Sequence, residues 1–368
     1  MPSDPVLTWL LEPSQPSVRY LALRQLLGRS ETDADVRNAR SQIPSTGWVT
    51  EVLRRRNPGG WWEREKPRME PRFLGTNWTM LALSDLGATR AIPEVRASCE
   101  FWMGNSPLQG GGVGGLGNGK GHHCYTAGMA RALIHFGYDD DPRVRKTLEF
   151  LVRTAHPKGG WTCRWNKDAP APSRTLDAWE GLSAFAAYPR SKWTAAMQAC
   201  VERAAEYYLE RELHVQGDRY DPWYRFHWPT HYYYDLLVGL DVLTTLGYGH
   251  DKRLGFALGL LRKKRRADGR WNLDADQTDP DPEGARWFAE HPDKRPTPLS
   301  FEGVGRPSKM ITLRALVVLS RVSQDRAART HACASIPHPN RPRRLASGLG
   351  RSLSSWAPGR GTHDSGLS

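Results

Sequence analysis

The stretch Gly59-Gly60-Trp61-Trp62, followed by the apolar run Trp78-Thr79-Met80-Leu81-Ala82-Leu83-Ser84-Asp85-Leu86 and the stop at Gly87, decides the reading of this chain. The phrase returns. Glycine-rich loops stand at Gly110-Gly111-Gly112, Gly159-Gly160-Trp161 and Asp268-Gly269-Arg270-Trp271. The apolar runs after them end at Phe136-Gly137, Ala186-Ala187, Leu246-Gly247 and Leu319, and Leu27-Gly28 is an earlier stop of the same kind. Positions 86, 136 and 186 are spaced by 50, with longer steps on either side. A period of this size denotes stacked supersecondary units. Each unit can bury its apolar face only on its neighbours, so about six helix pairs closing into a ring satisfy one another and enclose a cavity.

The helices alternate in character. One set mixes small residues with apolar ones: Trp78–Leu86, Tyr125–Ile134, Leu176–Phe185, Leu236–Leu243 and Ile311–Leu316. The other set is charged and amphipathic: Pro93–Met103, Pro142–Thr154, Thr194–Leu213 and Lys252–Arg266. Small-residue helices pack on both sides and belong inside, whereas amphipathic ones face water. Pro93 and Pro142 stand at first helical turns, where proline is favoured. The fold class is therefore all-α, with an α/α ring over residues 1–322 and a separate tail over 323–368. The tail is rich in Arg, Ser and Pro without apolar periodicity and reads as disordered. The polar stretch Trp271–Pro307 departs from the repeat.

Composition limits the function classes. The net charge of +13 is spread along the chain. Its densest run, Arg262-Lys263-Lys264-Arg265-Arg266, ends a helix, where cations suit the dipole. No nucleic-acid module is visible, and no stretch has the apolar length needed to cross a bilayer. Met1-Pro2-Ser3-Asp4 lacks a signal-peptide layout, so a cytoplasmic location is expected. Five scattered cysteines do not suggest a disulfide framework.

Inner and outer helices introduced by Gly59-Gly60-Trp61, Gly159-Gly160-Trp161 and Asp268-Gly269-Arg270-Trp271, with Gly137-Tyr138 and Gly247-Tyr248 as stops, resemble the prenyltransferase and squalene-cyclase repeat family. The resemblance covers about residues 5–322 and implies an α/α-toroid. That family includes zinc-dependent protein prenyltransferases, squalene-type cyclases that protonate an alkene, and members that bind other proteins. Its prenyltransferases carry Asp-x-Cys before a Tyr and an inner helix; here His122-x-Cys124-Tyr125 occupies that place. His231 loosely matches their later histidine ligand. The resemblance thus implies a zinc site from Cys124, His231 and one of His122, Cys163 or Asp235, a donor set that zinc accepts. His231 and Asp235 are four residues apart, so Asp235 is expected to orient the imidazole on one helix face. The bland alternative is buried thiols and capping histidines.

Three further sets complete the list. Asp139-Asp140-Asp141 is tempting as a cyclase acid, but it follows a stop and precedes Pro142, so it reads as a helix cap. Lys120, Arg174, Arg225, Arg306 and Lys309 lie near inner-helix starts and form a candidate anion-binding rim. Trp223, Trp228, Tyr232 and Tyr234 break the repeat and are the aromatic pocket candidates, whereas the repeated Trp61, Trp161 and Trp271 are expected to be structural. The reading that results is a prenyltransferase- or cyclase-like protein that binds an apolar, isoprenoid-type and diphosphorylated ligand centrally, with zinc-assisted transfer. The rival is a non-catalytic toroid that binds a peptide or protein partner.

Overall fold

A computed structural model of the chain describes residues 4–66, 68, 73–115, 119–162, 179–215, 221–231, 234–276, 290 and 300–334, the last ten as backbone only. A compact unit spans Met1–Ala327, and a second unit comprises Ala328–Ser368. The described residues are helical; their β pairing is limited to isolated bridges such as Asn272 with Pro307.

In chain order the helices are α1 (Pro5–Leu10), α2 (Pro16–Leu21, prolonged by a π turn over Ala22–Leu26), α3 (Ala34–Gln42), α4 (Trp48–Arg54), α5 (Thr76–Asp85), α6 (Pro93–Gly104), α7 (His123–His135), α8 (Pro142–Thr154), α9 (Trp179–Ala187), α10 (Ala195–Leu209), α11 (Leu236–Thr245), α12 (Gly255–Lys263) and α13 (Lys309–Ala334). Every residue of α5 is buried, and so are the described residues of α9 except its last two, as the small-residue pattern predicts. The amphipathic α8 buries only Val144, Thr147, Leu148, Phe150 and Leu151. α7 lies between α5 and α9, and α9 continues to α11. Ion pairs from α13 reach Asp85 of α5 and Asp241 of α11, so the inner layer closes.

The seam of the ring joins the two ends of this unit. Trp9 in α1 has Arg270 4.3 Å from its ring centroid and Lys309 at 4.9 Å. Lys309 Nζ also donates to the Trp9 carbonyl and pairs with Glu12 at 2.7 Å.

The recurrent loops share one backbone turn. The amides of Asn57, Leu108, His156 and Arg266 donate to the carbonyls of Trp61, Gly112, Gly160 and Arg270 respectively. Within each turn a left-handed glycine, at 60, 111, 159 or 269, donates back to the first residue. In three of the four a buried tryptophan follows. The indoles of Trp62, Trp161 and Trp271 donate to the carbonyls of Val52, Leu151 and Leu261 at 2.9, 2.9 and 2.7 Å. The alignment corrects one expectation: the structural residue of the first loop is Trp62, not Trp61. Trp61 closes the turn, is half-buried and packs on Phe101 at 5.3 Å.

The stops behave as the composition suggests. Gly87, Gly137 and Gly247 are left-handed, and the next residues, Ala88, Tyr138 and Tyr248, donate to Leu83, Leu133 and Leu243. This satisfies carbonyls that a helix end leaves open. Two helices, α3 and α4, lie where no helix was expected. α13 continues to Ala334, past the tail boundary read at Ser323, because residues 309–334 contain neither Gly nor Pro to stop it.

Candidate functional site

The inner helices surround a chamber of about 320 Å3. One part of its lining is apolar or small: Trp179, Ala186 and Ala187 from α9, with Val238 and Val242 from α11. The other part is ionic, with Arg131 from α7 and Arg314 and Arg321 from α13. Gln25 in the π turn also reaches it.

An ion network fastens the ionic side. Arg131 Nη1 donates to Asp85 Oδ1 at 2.6 Å, and Arg314 Nη2 to Asp85 Oδ2 at 3.1 Å. The other Arg314 Nη donates to the Thr230 hydroxyl. Arg321 pairs with Asp241 at 2.6 Å. Arg131 Cζ stands 5.6 Å over the Trp179 ring. Burial would raise the Asp85 carboxyl, but Arg131 and Arg314 outweigh it and hold the pKa at about 2. Asp85 is therefore a fixed anion at neutral pH and no source of a proton.

Arg131 is 6% exposed, and among the described residues its Nε and Nη2 have no hydrogen-bond acceptor. A buried guanidinium normally satisfies its donors.

None of the charged residues of this network was singled out from the sequence, whereas Trp179 was among the aromatic residues expected to line a pocket. The available signal was a charge placed inside a small-residue helix: Asp85, Arg131, Asp241 and Arg314 interrupt otherwise apolar runs in four of the five. A charge in an all-round buried helix needs a partner, and here the partners meet at the centre of the ring.

The expected site residues are distributed differently. Asp235 is fully buried, but it precedes α11 rather than lying in it. Its Oδ1 caps the Val238 amide, and its Oδ2 accepts from the amide and ring of His227, both within 2.9 Å. His227, not His231, is thus the imidazole that Asp235 orients. His231 is enclosed by Phe73, with ring centroids 5.4 Å apart, and by Trp78 at 5.6 Å. Burial depresses its pKa to about 3, so the ring is neutral.

At the start of α7, His122 and Cys124 are half-buried. The intervening His123 is buried and ties α7 to Thr154 Oγ1 at 2.7 Å and to the Thr162 carbonyl. Cys163, Arg174 and Tyr232 lie outside the described residues. Among the described residues, no group of three or more His, Cys, Asp or Glu side chains gathers to hold a metal. With Asp235 committed to amides and to His227, the described donors do not fit zinc.

The rim and pocket candidates are also placed. Lys120 and Arg306 are exposed, while Lys309 is held in the ring seam. Trp228 packs on Phe301 at 4.9 Å and on Trp48 at 5.3 Å. Trp223 meets Tyr234 edge-on at 5.8 Å, and the Tyr234 hydroxyl donates to the Leu213 carbonyl at 3.0 Å. These aromatics build core; among the described residues, Trp179 and the His135 imidazole are the rings that line the chamber. Asp139 and Asp140 pair with Lys192, and Asp141 caps the Arg143 amide at 2.8 Å, as expected for a helix start.

No family model matches the chain, and no curated protein matches it. Among solved structures it is similar to the ligand-free type II terpene cyclase MstE from Scytonema, with 18% identity, a TM-score of 0.41, and coverage of 84% of this chain and 88% of that one. A variant of that cyclase in complex with geranylgeranyl dihydroxybenzoate gives 18%, 0.42, and 85% and 88%. A protein from Actinoplanes gives 18%, 0.40, and 85% and 90%. At this distance the likeness is one of helical architecture. The closed ring itself rests on this chain's own contacts at Trp9, Lys309 and Asp85.

Proposed function

We propose that this protein binds an isoprenoid-type small molecule in the chamber at the centre of its ring. The observation that carries the reading is the chamber's mixed apolar and charged lining. Trp179, Val238 and Val242 offer apolar surface for a hydrocarbon, and Arg314 and Arg321 offer charge for a polar head. A volume of about 320 Å3 suits one small amphiphile, at the low end of ligand pockets of roughly 300–1,000 Å3. A peptide segment needs a longer groove, so the small molecule is favoured over the peptide partner. The probe chemistry follows that of the cyclase structure, which holds an isoprenoid ligand. The reading is one of binding. It routes no step through zinc, and Asp85, ionised between two arginines, supplies no acid for alkene protonation.

The test is calorimetric titration with farnesol and geranylgeraniol, wild type against Ala186→Phe, which fills the chamber. Saturable binding that the variant loses, with its melting temperature unchanged, supports the proposal. Absence of binding to the wild type, or equal binding to both proteins, refutes it.

A further inference from the structure

We infer that the chamber selects a ligand whose head carries a single negative charge, a carboxylate, and not the diphosphate expected from the sequence. The inference rests on the proposal that the chamber binds an isoprenoid-type ligand, and it names the form of that ligand.

The first support is charge. Three arginines line the chamber: Arg131, Arg314 and Arg321. Their bonded carboxylates are Asp85 and Asp241. This set leaves one positive charge over, and an arginine stays protonated throughout the working pH range. A carboxylate balances that excess. A diphosphate would overshoot it and bring its extra charge up against Asp85 and Asp241.

The second support is an incomplete hydrogen-bond set. Arg131 spends Nη1 on Asp85, while Nε and Nη2 have no acceptor among the described residues, and both atoms are buried. These two nitrogens form one edge of the guanidinium, the edge that takes a carboxylate through two parallel bonds. The Trp179 ring lies against the guanidinium.

The third support is alignment. Arg314 and Arg321 are seven residues apart on α13, hence on one face and about 10.5 Å apart along the axis. Each is already oriented by an aspartate, so neither has to be ordered when the ligand binds.

Farnesol, farnesoic acid and farnesyl diphosphate share one tail and test the head group directly on the full-length chain by calorimetry. The acid should bind at least about tenfold more tightly than either of the others. Arg321→Gln, at a partly exposed position that spares the buried pair, should reduce the acid's advantage over farnesol, both measured on the same variant, to less than about twofold. An acid no tighter than the alcohol would overturn the inference and leave the binding proposal intact, as would a preference for the diphosphate. A preference that survives in both Arg321→Gln and Arg131→Lys would overturn the arginine assignment. Failure of all three compounds to bind would sink the inference together with the proposal beneath it.

Discussion

Arg131 Nη1 lies 2.6 Å from Asp85 Oδ1, joining α7 to α5 across 46 residues of sequence, and both side chains are at least 90% buried. Arg314 completes the group from α13. Three units of the ring are therefore held at one carboxylate, which two guanidinium groups share.

Removing that carboxylate should destabilise the fold strongly. Asp85→Asn leaves two buried guanidinium groups facing a neutral amide and is expected to cost about 3 kcal/mol or more. Urea unfolding of the two proteins measures the difference. A change below about 1 kcal/mol would show that the network is peripheral to stability.

The same residue sets an acid limit. Its pKa is lowered from 3.8 to about 2 in the folded protein. A carboxyl depressed on folding stabilises the native state above its unfolded pKa, and that contribution fades as pH falls through the folded value. About 2 kcal/mol should therefore be lost between roughly pH 4 and pH 2. Urea midpoints followed over this range should fall less steeply in Asp85→Asn than in the wild type. Parallel slopes would mean that Asp85 is not held ionised.

The tryptophan register can be tested by paired substitution. Trp62→Ala removes a ring that is 1% exposed and its bond to the Val52 carbonyl, and about 3–5 kcal/mol should be lost. Trp61→Ala removes a half-buried ring beside Phe101 and should cost less than about 1 kcal/mol. The reverse ranking in chemical denaturation would restore the alignment that the Gly-Gly-Trp spelling suggests.

Two left-handed glycines should differ in the same way. A Cβ at Gly159 would collide with the Arg203 carbonyl, whereas one at Gly247 would meet nothing within 4 Å. Gly247→Ala should cost only the backbone strain, about 1 kcal/mol. Gly159→Ala should cost clearly more, because the backbone of α10 must move. Equal melting-temperature shifts in the two variants would show that strain alone decides both.

The repeat was legible because its signals are local. A left-handed glycine lies inside each loop turn, a glycine after α5, α7 and α11 satisfies the helix end, and the small-residue or amphipathic pattern states which layer a helix occupies. The stops at Gly87, Gly137 and Gly247 needed no tertiary information. The alternation of α5 through α12 followed from side-chain pattern in the same way. Trp61 was misread for a local reason too: two tryptophans are adjacent, and only the hydrogen-bonded turn shows which of them follows the closing residue.

The site was a different matter. His231 and Asp235 are near in sequence and share a spacing that pairs side chains on a helix, but the helix begins one residue later, so Asp235 caps it and binds His227 instead. Asp85, Arg131, Asp241, Arg314 and Arg321 come from four helices widely separated in sequence, and nothing local distinguishes them except a charge in an apolar run. The sequence by itself determined the helical units, their ends and their inner or outer character, because each depends on residues within a few turns. Only the tertiary structure decided which charges meet, because pairing between buried groups depends on how the ring closes and on which face each inner helix turns to the centre.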